Sequence, residues 1–355
     1  MNSSHKILKR LEMFCGTGGV GKTTLAASRA IFYAKQKKKV LLITIDPSRR
    51  LKDFFAITDE RAGTLEHVEV EDCKLDVLLM NPQETIRRFT NIDEVDETKG
   101  RRVLDILFRP YGGMNELMAL MELYYRYQEN IYDYIVLDTP PGPHFVDFLA
   151  STHKYKLFFH KSFVEIFDFI IGNKSFIFEN LQEDSDKKVK EKGGLFAKIV
   201  ASGIKKILFY FKKVTGESFL LEFIEALHFI YQFKDPFLAA SRFQQDILQG
   251  DQGGLFLVTS VEQDKFSDAL VLFKNSRQYL PQDFTLLVNK VFFSLEEERP
   301  TSDVKEIQQF YKLIEGREKK VLFLAKENFS SLKYFPEILT ESPSEQLMNL
   351  LPSWD

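Results

Sequence analysis

The chain's 355 residues allow one large or two modest domains, and 44% hydrophobic against 28% charged residues is a balance that buries a sizeable core. A net charge of −3 excludes the strong positive field of a general nucleic-acid binder, and two isolated cysteines, Cys15 and Cys73, exclude a disulfide framework. The polar, basic start lacks the apolar stretch of a secretory signal, and no segment approaches the roughly 20 apolar residues that span a bilayer, so a cytoplasmic protein is expected.

Taken in chain order, residues 11–15 read as a short buried strand and residues 22–36 as a helix with Ala and Leu on one side. The β-branched run 39–45 predicts a second strand that ends at Asp46-Pro47, and the apolar run 75–80 predicts another. Met114, Leu117, Met118, Met121 and Tyr125 recur at helical spacing across residues 113–130, and residues 134–137 form a strand ending at Asp138. Strands alternating with helices predict a mostly parallel, doubly wound α/β sheet.

The pattern changes after Ala150. Residues 151–250 show no strand pattern and hold 16 of the 34 Phe residues, which predicts an inserted, Phe-rich helical subdomain; a charged stretch, 182–192, reads as a loop within it. Sheet signals return with strands at 255–260, 284–289 and 320–324, helices at 264–279 and 301–315, and a short closing helix at 344–351. The sheet domain is thus expected to be discontinuous, residues 1–150 and 251–355, with residues 151–250 as a client or effector subdomain.

One motif carries specific chemistry. Gly16-Thr17-Gly18-Gly19-Val20-Gly21-Lys22-Thr23 fits GxxxxGK[ST], after a predicted strand and at the opening of a predicted helix. Glycines let backbone N–H groups turn toward phosphate oxygens, and the helix start adds the positive end of its dipole. The expected phosphate cradle is Gly18, Gly19, Val20, Gly21, Lys22, Thr23 and Thr24; Lys22 reaches the β- and γ-phosphates and the Thr23 hydroxyl ligates Mg²⁺. The predicted architecture is therefore a P-loop NTPase sheet, with ATP and Mg²⁺ as its ligands.

Two acids, Asp46 and Asp138, stand at predicted strand ends, where open α/β sheets bind ligands. Either acid, Asp46 or Asp138, can hold Mg²⁺ through its water shell at that edge, and one of them can orient the attacking water, which suits a reaction governed by positioning and charge neutralisation.

The segments GTGGVGKTTLAAS, ITIDPSRRL and YDYIVLDTPPGPHFVDFL, in that order, resemble the family of the arsenite-pump ATPase ArsA and the targeting ATPase for tail-anchored membrane proteins, within the deviant-Walker-A group. The segments FLVTSVEQDKFSDA and LLVNKVFF resemble that family's later strands and helix. The resemblance implies a dimeric, ATP-hydrolysing switch. Asp46, in the family's first switch, would polarise the attacking water, Asp138, at its second switch, would support Mg²⁺, His144 matches that second switch's histidine, and Asn289 would bond adenine. It implies a homodimer or a heterodimer with a related chain, a hydrophobic client helix or membrane surface as effector, and no nucleic-acid partner.

Departures from the family are equally specific. Its usual loop reads GKGGVGKT, where the first lysine reaches the partner's nucleotide; Thr17 occupies that position here. Arg49, Arg50 or a partner chain would have to supply the cation, and a chain left without one would be a weakly active regulatory subunit. No CxxC motif and no cysteine near the second switch predict neither zinc nor an iron–sulfur cluster, and the absence of clustered cysteines argues against an arsenite-efflux motor.

Within the insertion, Leu195, Ile199, Ile204, Ile207, Leu208 and Phe211 share one helical face and lysines lie mostly elsewhere. Such a helix suits packing on its neighbours, one wall of a client groove, or an anionic membrane surface. The insertion contains no methionine, so it lacks the adaptable side chains of promiscuous grooves. Phe158, Phe159, Phe163 and Phe167 read as core.

Overall fold

The computed structural model of the chain describes residues 10–45, 49–90, 114–158, 213, 234–249, 253–280, 284–293 and 304–355. Among these residues eight strands form one sheet: β1 (Arg10–Gly16), β2 (Val40–Thr44), β3 (Leu65–Val70), β4 (Cys73–Leu79), β5 (Tyr134–Asp138), β6 (Gly253–Ser260), β7 (Thr285–Val291) and β8 (Ser331–Pro336). Their order is β3-β4-β2-β5-β1-β6-β7-β8. Every neighbouring pair is parallel except the β3–β4 hairpin. Winding runs from β1 toward β2 on one side and toward β6 on the other, so the switch point where such sheets bind ligands lies at the carboxyl ends of β1 and β5.

Nine helices are described between the strands: α1 (Lys22–Lys35), α2 (Arg49–Phe55), α3 (Pro82–Thr90), α4 (Met114–Gln128), α5 (Pro143–Phe158), α6 (Lys234–Gln249), α7 (Gln263–Ser276), α8 (Lys305–Asn328) and α9 (Pro343–Asn349). The central strands read as apolar runs because both their faces are covered: β2 is buried at every residue. Strand register puts Glu12, Phe14, Leu42, Thr44, Val136, Asp138, Val258 and Leu287 on one face. The apolar members of that row pack with Leu25, Ala26, Ala27, Ala30, Ile31 and Ala34 of α1, four of them alanines.

Helix α1 carries a second layer of anchors. Arg29 spans the buried Glu12 carboxylate at 2.9 and 3.1 Å, and the Tyr33 hydroxyl donates to Glu12 at 2.7 Å. The indole Nε1 of Trp354, in the closing 3-10 turn Leu351–Trp354, donates to Ser28 Oγ at 3.0 Å, while its ring lies 4.5 Å from Phe335 and 6.0 Å from Phe14. The helix behind the glycine loop is thus held through its charge, its aromatic neighbours and a hydrogen bond, as well as by its apolar face.

The chain divides into two compact units. The first comprises Met1–Thr85, Glu116–Ser151 and Arg242–Asp355 and contains the whole sheet. The second comprises Ile86–Asn115 and Thr152–Ser241; among its described residues Ile86, Phe237, Ala240 and Ser241 are buried. The amphipathic stretch 195–213 lies outside the described residues apart from exposed Lys213, as do Phe159, Phe163, Phe167 and the loop 182–192; Phe158 ends α5.

One expectation is overturned. Residues 320–324 are not the last strand but lie inside α8, and the last strand is β8. Glu318, Val321 and Ala325 are buried at helical spacing while Phe323 is 62% exposed. A short apolar run read without its flanks does not separate a strand from one face of a helix.

Candidate nucleotide-binding site

The glycine loop leaves β1 and enters α1. Val20 is fully buried and anchors the loop from below, while Gly18 and Gly19 are exposed above it. Gly21 has φ 89°, in the left-handed region that favours glycine, and a Cβ there would run into the amide nitrogen of Asn289. Gly16 also needs its missing side chain, since a Cβ would stand 2.5 Å from the Val258 carbonyl of β6. The first helical bond, Leu25 N–H to Gly21 O at 3.0 Å, begins directly at the loop.

Beneath the loop, three sequence-predicted residues converge. The Lys22 ammonium lies 2.6 Å from Asp138 Oδ1 and also donates to the Thr139 carbonyl. The Thr23 hydroxyl donates to Asp138 Oδ2 at 2.7 Å, and the Thr44 hydroxyl reaches the same oxygen at 3.2 Å. Asp138 is buried, as are Thr44 and Thr139. The period-two alternation of β2 and β5 turns Thr44 and Asp138 to the α1 face, which explains why residues distant in sequence meet there.

The segment after β5 is laced to β1. The Thr139 hydroxyl and N–H both donate to Phe14 O, at 2.8 and 3.2 Å, and Gly142 N–H donates to Gly16 O at 3.0 Å. His144 follows on the first turn of α5, exposed. On the other side of the loop, the Asn289 amide at the end of β7 donates to Val20 O at 2.9 Å. Asp46 lies outside the described residues; Arg49 and Arg50 open α2, with nothing described of their side chains.

The residues present fit a nucleotide and a hard cation. The buried hydroxyls of Thr17 and Thr24 have no hydrogen-bond partner among the described residues, and buried polar atoms are ordinarily satisfied. A hydroxyl and a carboxylate at Thr23 and Asp138 form the oxygen set that Mg²⁺ prefers. Cys15, next to the loop, is no nucleophile: burial pushes its thiol from an ordinary 9.0 up to about 12, against the opposing pull of Lys22. Thr44 and Thr139 were missed in the sequence, although Thr precedes one acid by two positions and follows the other directly.

Comparison with known proteins points the same way. The family model described as anion-transporting ATPase matches residues 9–199, more than half of the chain. The chain is 25% identical to putative arsenical pump-driving ATPase 2 of Aquifex aeolicus over 319 residues, 86% of this chain and 91% of that protein. It is 27% identical to putative arsenical pump-driving ATPase 1 of the same organism over 43% of this chain and 41% of that one. With ATPase GET3 of Mycosarcoma maydis it shares 32% identity over 38% of this chain and 40% of that one. For these last two, the match spans about two fifths of the relative's length. The matched stretch contains the glycine loop with Lys22 and Thr23, Asp138, and strands β1 to β5; the chain belongs to the anion-transporting ATPase (ArsA) family of P-loop ATPases.

Proposed function

We propose that the chain binds Mg·ATP on residues 16–24 and hydrolyses it as a dimeric switch, whose turnover rearranges the Phe-rich helical part for a protein or membrane partner. The sheet domain is taken as residues 1–150 and 251–355, and the helical part as residues 151–250. The observation that carries the reading is the convergence of Lys22, Thr23 and Asp138 under a loop with two buried hydroxyls that have no partner among the described residues.

Each residue has a definite task in this reading. Lys22 neutralises the β- and γ-phosphates, the loop N–H groups and Thr24 bind phosphate oxygens, and Asn289 meets the base. Thr23 and Asp138 hold the magnesium, which when bound neutralises charge on the phosphate oxygens. Asp46 follows Ile45, whose N–H donates to the Asp138 carbonyl at 3.1 Å, and is assigned to orient the attacking water. Asp46→Asn tests this: ATP binding persists and turnover is lost, whereas normal hydrolysis by Asp46→Asn contradicts the assignment.

Thr17 favours a second reading. It stands where related loops carry a lysine, and a cation supplied across a subunit seam contributes about 10³–10⁵ in rate in P-loop enzymes. The chain would then be an ATP-binding regulatory subunit completed by a related partner. An arsenite motor is the least favoured. Cys15 on β1 and Cys73 on β4 are separated by two intervening strands, roughly 14 Å across the sheet, and lie near opposite ends of their strands, so they cannot converge on a soft metalloid within one chain.

A further inference from the structure

The exit of β7 is irregular and is held from outside the sheet. The β7–β8 register shifts between Val288 and Val291, leaving Asn289 and Lys290 in the irregular stretch. Lys290 adopts a left-handed backbone, φ 62°, which a non-glycine residue keeps only when its surroundings enforce it. Just beyond, the N–H groups of Phe292 and Phe293 donate to the two carboxylate oxygens of Glu318, at 2.6 and 3.0 Å. Glu337 N–H closes the other side on Val291 O at 3.0 Å.

Glu318 stands out on α8. Most charged side chains of that helix are exposed, while Glu318 is fully buried. A carboxylate taken out of water is costly unless donors meet its lone pairs, so its position argues for a specific tie between α8 and the strand end. That strand end carries Asn289, whose amide donates to Val20 O and fills the space where a Gly21 side chain would be. Glu318 is thereby connected to the phosphate loop through one irregular strand end.

We propose that Glu318 is a positioning residue for nucleotide: by clamping the N–H groups of Phe292 and Phe293 it sets where Asn289 rests against the loop, and so tunes ATP affinity. The proposal rests on the reading of residues 16–24 as the ATP loop. It also makes α8 an element through which a contact on that helix changes nucleotide affinity.

The test is a double-mutant cycle on the full chain, with equilibrium ATP binding, saturated turnover and thermal unfolding as readouts. Glu318→Gln keeps the side chain's size but turns an NH₂ toward one of the two N–H donors. Loss of one charge-assisted bond is expected to weaken ATP binding roughly tenfold, while turnover at saturating Mg·ATP stays within about twofold of wild type. In an Asn289→Ala background, itself weaker in binding, Glu318→Gln adds no further loss. A folded Glu318→Gln with wild-type affinity, or losses that multiply in the double variant, overturns the proposal and leaves Glu318 as packing alone. Should Glu318→Gln fail to fold, Glu318→Asp, which keeps both acceptors on a shorter stem, is read the same way. Absence of ATP binding by the wild type removes the functional reading itself, an outcome distinct from the failure of Glu318.

Discussion

The ammonium of Lys22 and the carboxylate of Asp138 meet at 2.6 Å although 116 positions separate them in the chain. Both are buried, so each compensates the other's loss of water. Lys22→Ala is expected to abolish ATP binding and also to lower stability by roughly 3 kcal/mol, because Asp138 is left without its counter-charge. ATP titration and urea unfolding check the two effects. Lys22→Ala with Asp138→Asn should recover much of the stability and none of the binding.

Thr24 offers the opposite sign. Its buried hydroxyl lacks a partner among the described residues, so Thr24→Val removes an unsatisfied polar group and is expected to leave unfolding free energy unchanged or raise it by about 1 kcal/mol. ATP affinity should fall about tenfold in the same variant, through loss of one phosphate contact. Lower stability with unchanged affinity would show that the hydroxyl serves the fold.

Two glycines of the loop should separate in the same way. Gly21 combines φ 89° with a Cβ direction aimed at Asn289, so Gly21→Ala costs about 1–3 kcal/mol of stability and disables the loop. A Cβ on Gly18 meets nothing within 4 Å among the described residues. Gly18→Ala should melt like wild type and still bind ATP more weakly, because the methyl crowds the phosphate path. Differential scanning calorimetry beside ATP titration reads both.

Alkaline pH probes the strand beneath the loop. The Cys15 thiol stays protonated in the fold up to about 12 and ionises near 9.0 once unfolded. The folded state therefore holds its proton longer, and the stability linked to Cys15 is fully present below pH 9 and lost progressively as pH rises from 9 toward 12. Tyr33 and Tyr132, pushed up mainly by burial, act in the same direction above pH 10. Unfolding measured from pH 8 to 11 should fall less steeply in Cys15→Ala, and folded wild type at pH 8 should resist thiol alkylation at Cys15.

The sequence showed those parts of the fold whose cause is local. Strands β1, β2 and β5 are buried on both faces and read as apolar runs, and the loop is set by glycines at fixed offsets. Strand β3 was missed because, half-exposed in a hairpin, it alternates Leu, Glu, His and Val without a continuous apolar signal. The run at 320–324 misled because α8 buries only Val321 and its helical neighbours. At the site, Lys22 and Thr23 were legible from the spacing of the glycine motif and Asp138 from its place at a strand end. The grip of Asn289 on Val20 and of Glu318 on Phe292 was not, since both join residues far apart in the chain at an irregular strand end.

Mg²⁺-dependent ATP turnover, measured for the wild-type chain and for Lys22→Ala over a wide range of protein concentration, tests whether residues 16–24 form a working ATP site completed by a second chain. Wild-type specific activity should rise with concentration as a second chain completes the site, and Lys22→Ala should show no turnover at any concentration. Turnover that persists in Lys22→Ala, or a wild type that neither binds nor hydrolyses ATP at any concentration, contradicts this assignment.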